Sequence, residues 1–193
     1  MDEKLSVARI YYPVKTLGPG NRIGIWTTGC SKNCPGCISP ELQAYDPEKE
    51  LAVEDIIELI RSIPHPIDGF TISGGEPFFN PSGLDALVRE LVKINDDVLI
   101  YTGYTLRELK ESSVPQIESI LERCAVLIDG PYREELNDNC GLRGSSNQCI
   151  HIFRYPDKYR GLEWEDRKIQ NVVYGNGVLM IGIPGRNSND QSG

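Results

Sequence analysis

Cys30, Cys34 and Cys37 form a C-x3-C-x2-C loop directly after the apolar run Ile23-Gly24-Ile25-Trp26-Thr27, and this cluster limits the chain more than any other feature. A loop of thiolates must leave a strand that is firmly held, and its neighbours must supply whatever the thiolates bind. A cubane iron–sulfur cluster has four irons and takes four ligands. A loop that offers three thiols leaves one iron open to an exogenous ligand. A structural zinc or an electron-carrying cluster is normally closed by a fourth protein ligand. Cys124, Cys140 and Cys149 are available for that role, although their spacings of sixteen and nine positions contain no chelating pair. A zinc or closed cluster completed by one of them is therefore the alternative to an open iron.

The segment Gly69-Phe70-Thr71-Ile72-Ser73-Gly74-Gly75-Glu76-Pro77 reads as a buried strand ending in two glycines, an acid and a proline. Glycine lets main-chain groups approach a neighbour closely, and a carboxylate accepts charge-assisted hydrogen bonds from a cation. Together the cysteine loop and this strand resemble the radical S-adenosylmethionine superfamily. Gly18-Pro19-Gly20-Asn21-Arg22, Cys34-Pro35-Gly36-Cys37, Tyr101-Thr102-Gly103-Tyr104 and Leu142-Arg143-Gly144-Ser145-Ser146-Asn147-Gln148 narrow the resemblance. They are similar to the glycyl radical enzyme activases, and most closely to those of anaerobic (class III) ribonucleotide reductase, from about Ile10 to Tyr155.

The resemblance implies one [4Fe-4S] cluster on Cys30, Cys34 and Cys37, with S-adenosylmethionine on the open iron. It implies cofactor contacts from Ser73, Gly74, Gly75, Glu76, Pro77, Thr102 and Asp129, and contact with a nucleoside or partner from Arg143, Ser145, Asn147 and Gln148. Plainer readings stand beside these. Glu76 can cap the next turn, Thr102 and Tyr104 can pack at a strand end, Asp129 can serve the Gly130-Pro131 turn, and the 143–148 string can brace its own loop. His65 reads as a solvated loop residue and His151 as a core residue on a strand. The implied activity begins with one electron from a reduced flavodoxin or ferredoxin. S-adenosylmethionine is then cleaved to a 5′-deoxyadenosyl radical, which takes a glycine Cα hydrogen from a partner enzyme. Two other classes fit the same motifs: a radical enzyme that modifies a small molecule or peptide, and a non-catalytic iron–sulfur or zinc module.

At 193 residues the chain is shorter than the roughly 250 of a complete (β/α)8 barrel. Runs that alternate between strand and helix period predict an α/β fold: strands near 7–12, 23–27, 70–73, 98–102 and 125–128, with helices at 53–63, 82–94, 106–110 and 115–123. The resemblance implies a partial (β/α) barrel of the radical S-adenosylmethionine type, whose open side suits a protein loop as substrate. Runs at 169–174 and 178–183 predict a C-terminal β-hairpin around Gly175-Asn176-Gly177, covering a strand edge or touching a partner. The chain accordingly divides into residues 1–155, the partial barrel, and 156–193, the hairpin extension with a disordered end from Arg186. A net charge of -8 argues against nucleic acid as partner. No apolar run approaches the ~20 residues that span a bilayer, and no secretory signal opens the sequence, so a cytoplasmic protein is expected.

Overall fold

The computed structural model describes residues 3–174 and 177–185. Its framework is a seven-stranded mixed sheet in the order β3-β1-β2-β4-β5-β6-β7. The strands are β1 (Lys4–Val14), β2 (Arg22–Thr27), β3 (Glu50–Ala52), β4 (Gly69–Gly74), β5 (Val98–Tyr101), β6 (Val126–Asp129) and β7 (Cys149–Ile152). The neighbours β2, β4, β5 and β6 run parallel, and antiparallel β1 and β7 flank them. Within the parallel part, strand order in space follows order in the chain. That arrangement puts the connecting helices together as one layer: α2 (Pro81–Leu91) packs against α1 (Val53–Arg61) and α4 (Pro115–Arg123).

Side-chain alternation divides the two faces. Ile23, Ile25, Phe70, Ile72, Val98 and Ile100 point to the helices, where Ile56, Ile60, Leu84, Leu87, Leu91 and Ile120 meet them in one buried core. The helical residues recur at the three- and four-residue spacing of an amphipathic stripe. Trp26, Leu99, Val126 and Ile128 point the other way, into two smaller apolar clusters. The face away from α1, α2 and α4 is the one that the cysteine loop and a cavity can share. α2 starts at Pro81, with the Asn80 side chain accepting from the Gly83 N–H at 3.0 Å. Thr105 and Glu108 form a reciprocal capping box at α3 (Leu106–Lys110).

The short strand β3 was not predicted, because three residues carry too little periodicity to register. A short helix α5 (Pro156–Tyr159) buries Tyr159 against Leu99, Val126 and Ile128, so residues beyond 155 complete the first unit's core. The expected hairpin is present as β8 (Ile169–Tyr174) and β9 (Gly177–Gly182), in a separate ladder. It lies on the face away from α1, α2 and α4 rather than along β3 or β7: Ile181 is buried with Val14, Leu17, Trp26 and Leu42. The side chain of Gln170 also donates to the Pro13 carbonyl at 2.8 Å and accepts from the Lys15 N–H at 3.1 Å. The Gly175-Asn176 turn and the end from Arg186 lie outside the described residues. Among the described residues, no helix is long and apolar enough to cross a membrane.

Candidate active site

Two parallel strands end side by side and their following segments stay in contact. Thr27 is level with Gly74 in the β2–β4 ladder, after which the Gly75 N–H donates to the Thr27 carbonyl at 2.9 Å and the Glu76 N–H to the Gly29 carbonyl at 2.8 Å. On the far side, Gly29 and Cys30 donate to the carbonyls of Leu42 and Gln43 at 3.0 and 2.8 Å. The start of the cysteine loop is thus bonded on one side to Gly75 and Glu76 and on the other to the loop's own far end at Leu42 and Gln43. The two glycines serve this closure. A Cβ on Gly74, whose φ is +125°, would stand 2.3 Å from the Thr27 backbone, and one on Gly75 would stand 2.5 Å from the carbonyls of Gly29 and Leu42. Their missing side chains admit the chain's own backbone rather than leaving room for a ligand.

Glu76 is 1% exposed. One carboxylate oxygen accepts from the Phe78 N–H at 3.0 Å and the Thr102 hydroxyl at 2.8 Å, and the other accepts from the Gly103 N–H at 2.7 Å. Burial pushes its carboxyl above the ordinary range, against the pull of these donors and of the Lys32 charge. Glu76 therefore caps the 77–79 turn, as the plainer reading has it, and stands as a buried acid in the cavity that the cysteines line.

Cys30, Cys34 and Cys37 are half-buried free thiols. Asn33 and Gly36, both at positive φ, fold the loop back, and a Cβ on Gly36 would meet the Glu134 carboxylate at 2.7 Å. Burial and the Cys30 and Cys37 thiols push Cys34 up, while a backbone hydrogen bond from Tyr132 and the Lys32 charge pull it down. Among the described residues, the group whose ligand atoms converge within 4.8 Å lies elsewhere and includes none of these cysteines. Cys124 is buried in the core with its thiol pushed to about 12 by desolvation, and is not a ligand to this loop.

The loop cysteines and Ser73, Gly74, Gly75, Glu76, Pro77 and Thr102 line one cavity of about 480 Å³, within the range of nucleotide-sized sites. Leu179, Met180 and Ile181 of β9 form its apolar wall. Asp129 does not face it. One Asp129 oxygen accepts from the Leu106 N–H and the other from the Cys149 N–H at 3.3 Å, and the residue borders a second cavity. The 143–148 string mainly braces its own loop. Arg143 pairs with Asp138 at 2.9 Å, the buried Ser145 hydroxyl accepts from the Arg133 N–H, and Asn147 donates to the Pro131 carbonyl. Gln148 holds Gly144, Ser145 and Gly130, yet it alone among the four candidate residues lines the first cavity.

Sequence reasoning missed Lys32, Tyr132 and the hairpin wall. The Lys32 ammonium sits 3.7 Å from the Tyr104 ring centroid and 3.6 Å from Glu108, at the cavity edge. Its place inside the C-x3-C spacing was visible, but nothing in that spacing says which way it points.

An α/β sheet whose parallel strand ends hold a three-cysteine loop against a buried acid defines an iron–sulfur cofactor protein. Residues 16–151 match the family model of the 4Fe-4S single cluster domain. The chain is also 31% identical over 156 residues to the anaerobic ribonucleoside-triphosphate reductase-activating protein of Vibrio cholerae, covering 74% of this chain and 96% of that one. The same-named proteins of Escherichia coli K12 and of Enterobacteria phage T4 are 30% and 31% identical, covering 97% and 90% of their own lengths. This chain belongs to the family of anaerobic ribonucleoside-triphosphate reductase-activating proteins.

Proposed function

We propose that this protein is a radical S-adenosylmethionine activase that installs a glycyl radical on an anaerobic ribonucleotide reductase. The observation that carries the reading is the single cavity shared by three open-set cysteines and the buried Glu76. Cys30, Cys34 and Cys37 would hold a [4Fe-4S] cluster, a reading supported by the 4Fe-4S family match and by the three thiols that line one cavity. When bound, the cluster and S-adenosylmethionine supply the reducing electron and a 5′-deoxyadenosyl radical that takes hydrogen from a glycine Cα.

The chain's own residues would position and shield. Glu76, held in place by Thr102, Gly103 and Phe78, would accept from the methionine ammonium in its ionised form. Lys32 adds a cation at the cavity edge. Leu179 and Ile181 exclude water from a site whose reactive species would attack whatever it met first. On this reading the mixed sheet is the partial (β/α) barrel, the motifs within residues 1–155 carry the chemistry, and β9 of the extension walls the site. The work is cytoplasmic, with flavodoxin or ferredoxin as donor. Asp129 leaves the cofactor set, because it faces another cavity.

The test mixes anaerobically reconstituted protein, dithionite, S-adenosylmethionine and the reductase encoded beside it or by a close relative. A glycyl doublet in electron paramagnetic resonance and stoichiometric 5′-deoxyadenosine are expected. Formation of 5′-deoxyadenosine with a peptide or metabolite and no doublet on any reductase would replace the activase by a small-substrate radical enzyme. No 5′-deoxyadenosine at all would leave a non-catalytic cluster module.

A further inference from the structure

Asp129 at the end of β6 and Cys149 and His151 on β7 bring a carboxylate, a thiol and an imidazole together, with ligand atoms all within 4.8 Å of one another. The antiparallel register makes the grouping. Asp129 is the direct partner of Cys149, and His151 lies two residues further along the same strand, on the same face. The imidazole is oriented by stacking on Phe153, with ring centroids 6.3 Å apart and planes within 8°. His151 Nε2 stands 3.1 Å from Asp129 Oδ1, the distance of an ion pair, and among the described residues it has no other partner. A metal ion can take the place of a proton between two ligand atoms at this distance. Tetrahedral zinc at ~2.0–2.1 Å from N and O donors spaces them by about 3.3 Å.

We infer that Asp129, Cys149 and His151 form a second metal site, for zinc or a similar thiolate-accepting divalent ion, separate from the cluster loop. The donor set is the borderline mixture of sulfur, nitrogen and oxygen that such ions take. Three protein ligands leave a fourth position for a water or anion, and all three line the second cavity together with Arg107, Lys110, Arg133 and Glu111. The site is not part of the cofactor cavity, although Gly130 borders both. Gly130 accepts from Gln148 at 2.8 Å, and Gln148 in turn holds Gly144 at 2.7 Å, so a metal on one side of this strand end would stiffen the cofactor wall on the other. The inference stands whether or not the protein is an activase.

The test uses the full chain with its cluster loop already loaded, so that Cys30, Cys34 and Cys37 cannot take the probe. Equilibrium dialysis against zinc should leave one zinc per chain. Zinc-edge X-ray absorption should show one sulfur at ~2.3 Å among nitrogen and oxygen neighbours at ~2.0–2.1 Å. Cys149→Ala and His151→Ala should each lose that zinc while cluster iron and melting temperature stay as in the parent. No retained zinc, equal retention in both variants, or a shell with no sulfur or several sulfurs would each overturn the site.

Discussion

Glu76 shows how one side chain serves fold and chemistry together. Desolvation raises its carboxyl pKa, so the free protein holds a proton there at a pH where an exposed glutamate has lost it. A ligand ammonium needs the ionised form. As pH falls through the raised value, protonation competes with binding, so S-adenosylmethionine affinity should decline on the acid side at a pH above the ordinary glutamate range. Glu76→Gln should weaken binding by about 1.5–3 kcal/mol at neutral pH and flatten that decline. Calorimetric titration of both proteins across mildly acidic pH measures it, and a parallel decline in the variant would place the titrating group elsewhere. Glu76 and the cysteines were legible because their chemistry is written in local spacing. Asp129 was not: its strand-end position is local, but the side of the strand it serves depends on helix α3 and on Cys149 across the ladder.

At the scale of elements, the parallel strands and their helices followed from periodicity, and the antiparallel borders did not. Val7–Tyr12 reads as a strand whichever way its neighbours run, so sequence pattern could not reveal that β1 closes the sheet against both β2 and β3. The hairpin was legible for a similar local reason, while its destination was not. Its inner face carries Ile181, 2% exposed, against Trp26 and Leu17. Ile181→Ala removes buried methylenes at a cost of about 2–5 kcal/mol, leaving Gln170 and the partly buried Val172 and Leu179 to hold the hairpin. Hydrogen exchange in β8–β9 should accelerate by about 30-fold or more while β4 and β5 keep their protection. Equal acceleration throughout would mean that the hairpin unfolds only with the sheet.

For the molecule as a whole, the end of the sheet opposite the cysteines is secured by a buried charge network. Arg22 is fully buried at the start of β2 and donates to the Thr71 hydroxyl, the Phe70 carbonyl and both the carbonyl and carboxylate of Asp97. Lys158 and Tyr159 of α5 reach the same carboxylate, so β2, β4, β5 and α5 meet at one ion pair. Burial alone would push the Asp97 carboxyl up, but Arg22, Lys158 and Tyr159 outweigh it and hold the group below the ordinary aspartate value of 3.8. A carboxyl whose folded pKa is depressed adds stability above its unfolded pKa and loses it as pH falls through the folded value. In Arg22→Met the partner charge is gone and desolvation prevails, so the Asp97 pKa should rise. The variant should be about 3–5 kcal/mol less stable at neutral pH, the typical result of leaving a buried charge without its main partner. Acidification then protonates Asp97 in the variant before it does so in the parent, and the gap between the two should narrow as pH falls. Urea midpoints at neutral and mildly acidic pH measure that narrowing. A gap that stays constant would mean that Arg22 acts through its backbone and hydroxyl contacts, with its charge contributing little.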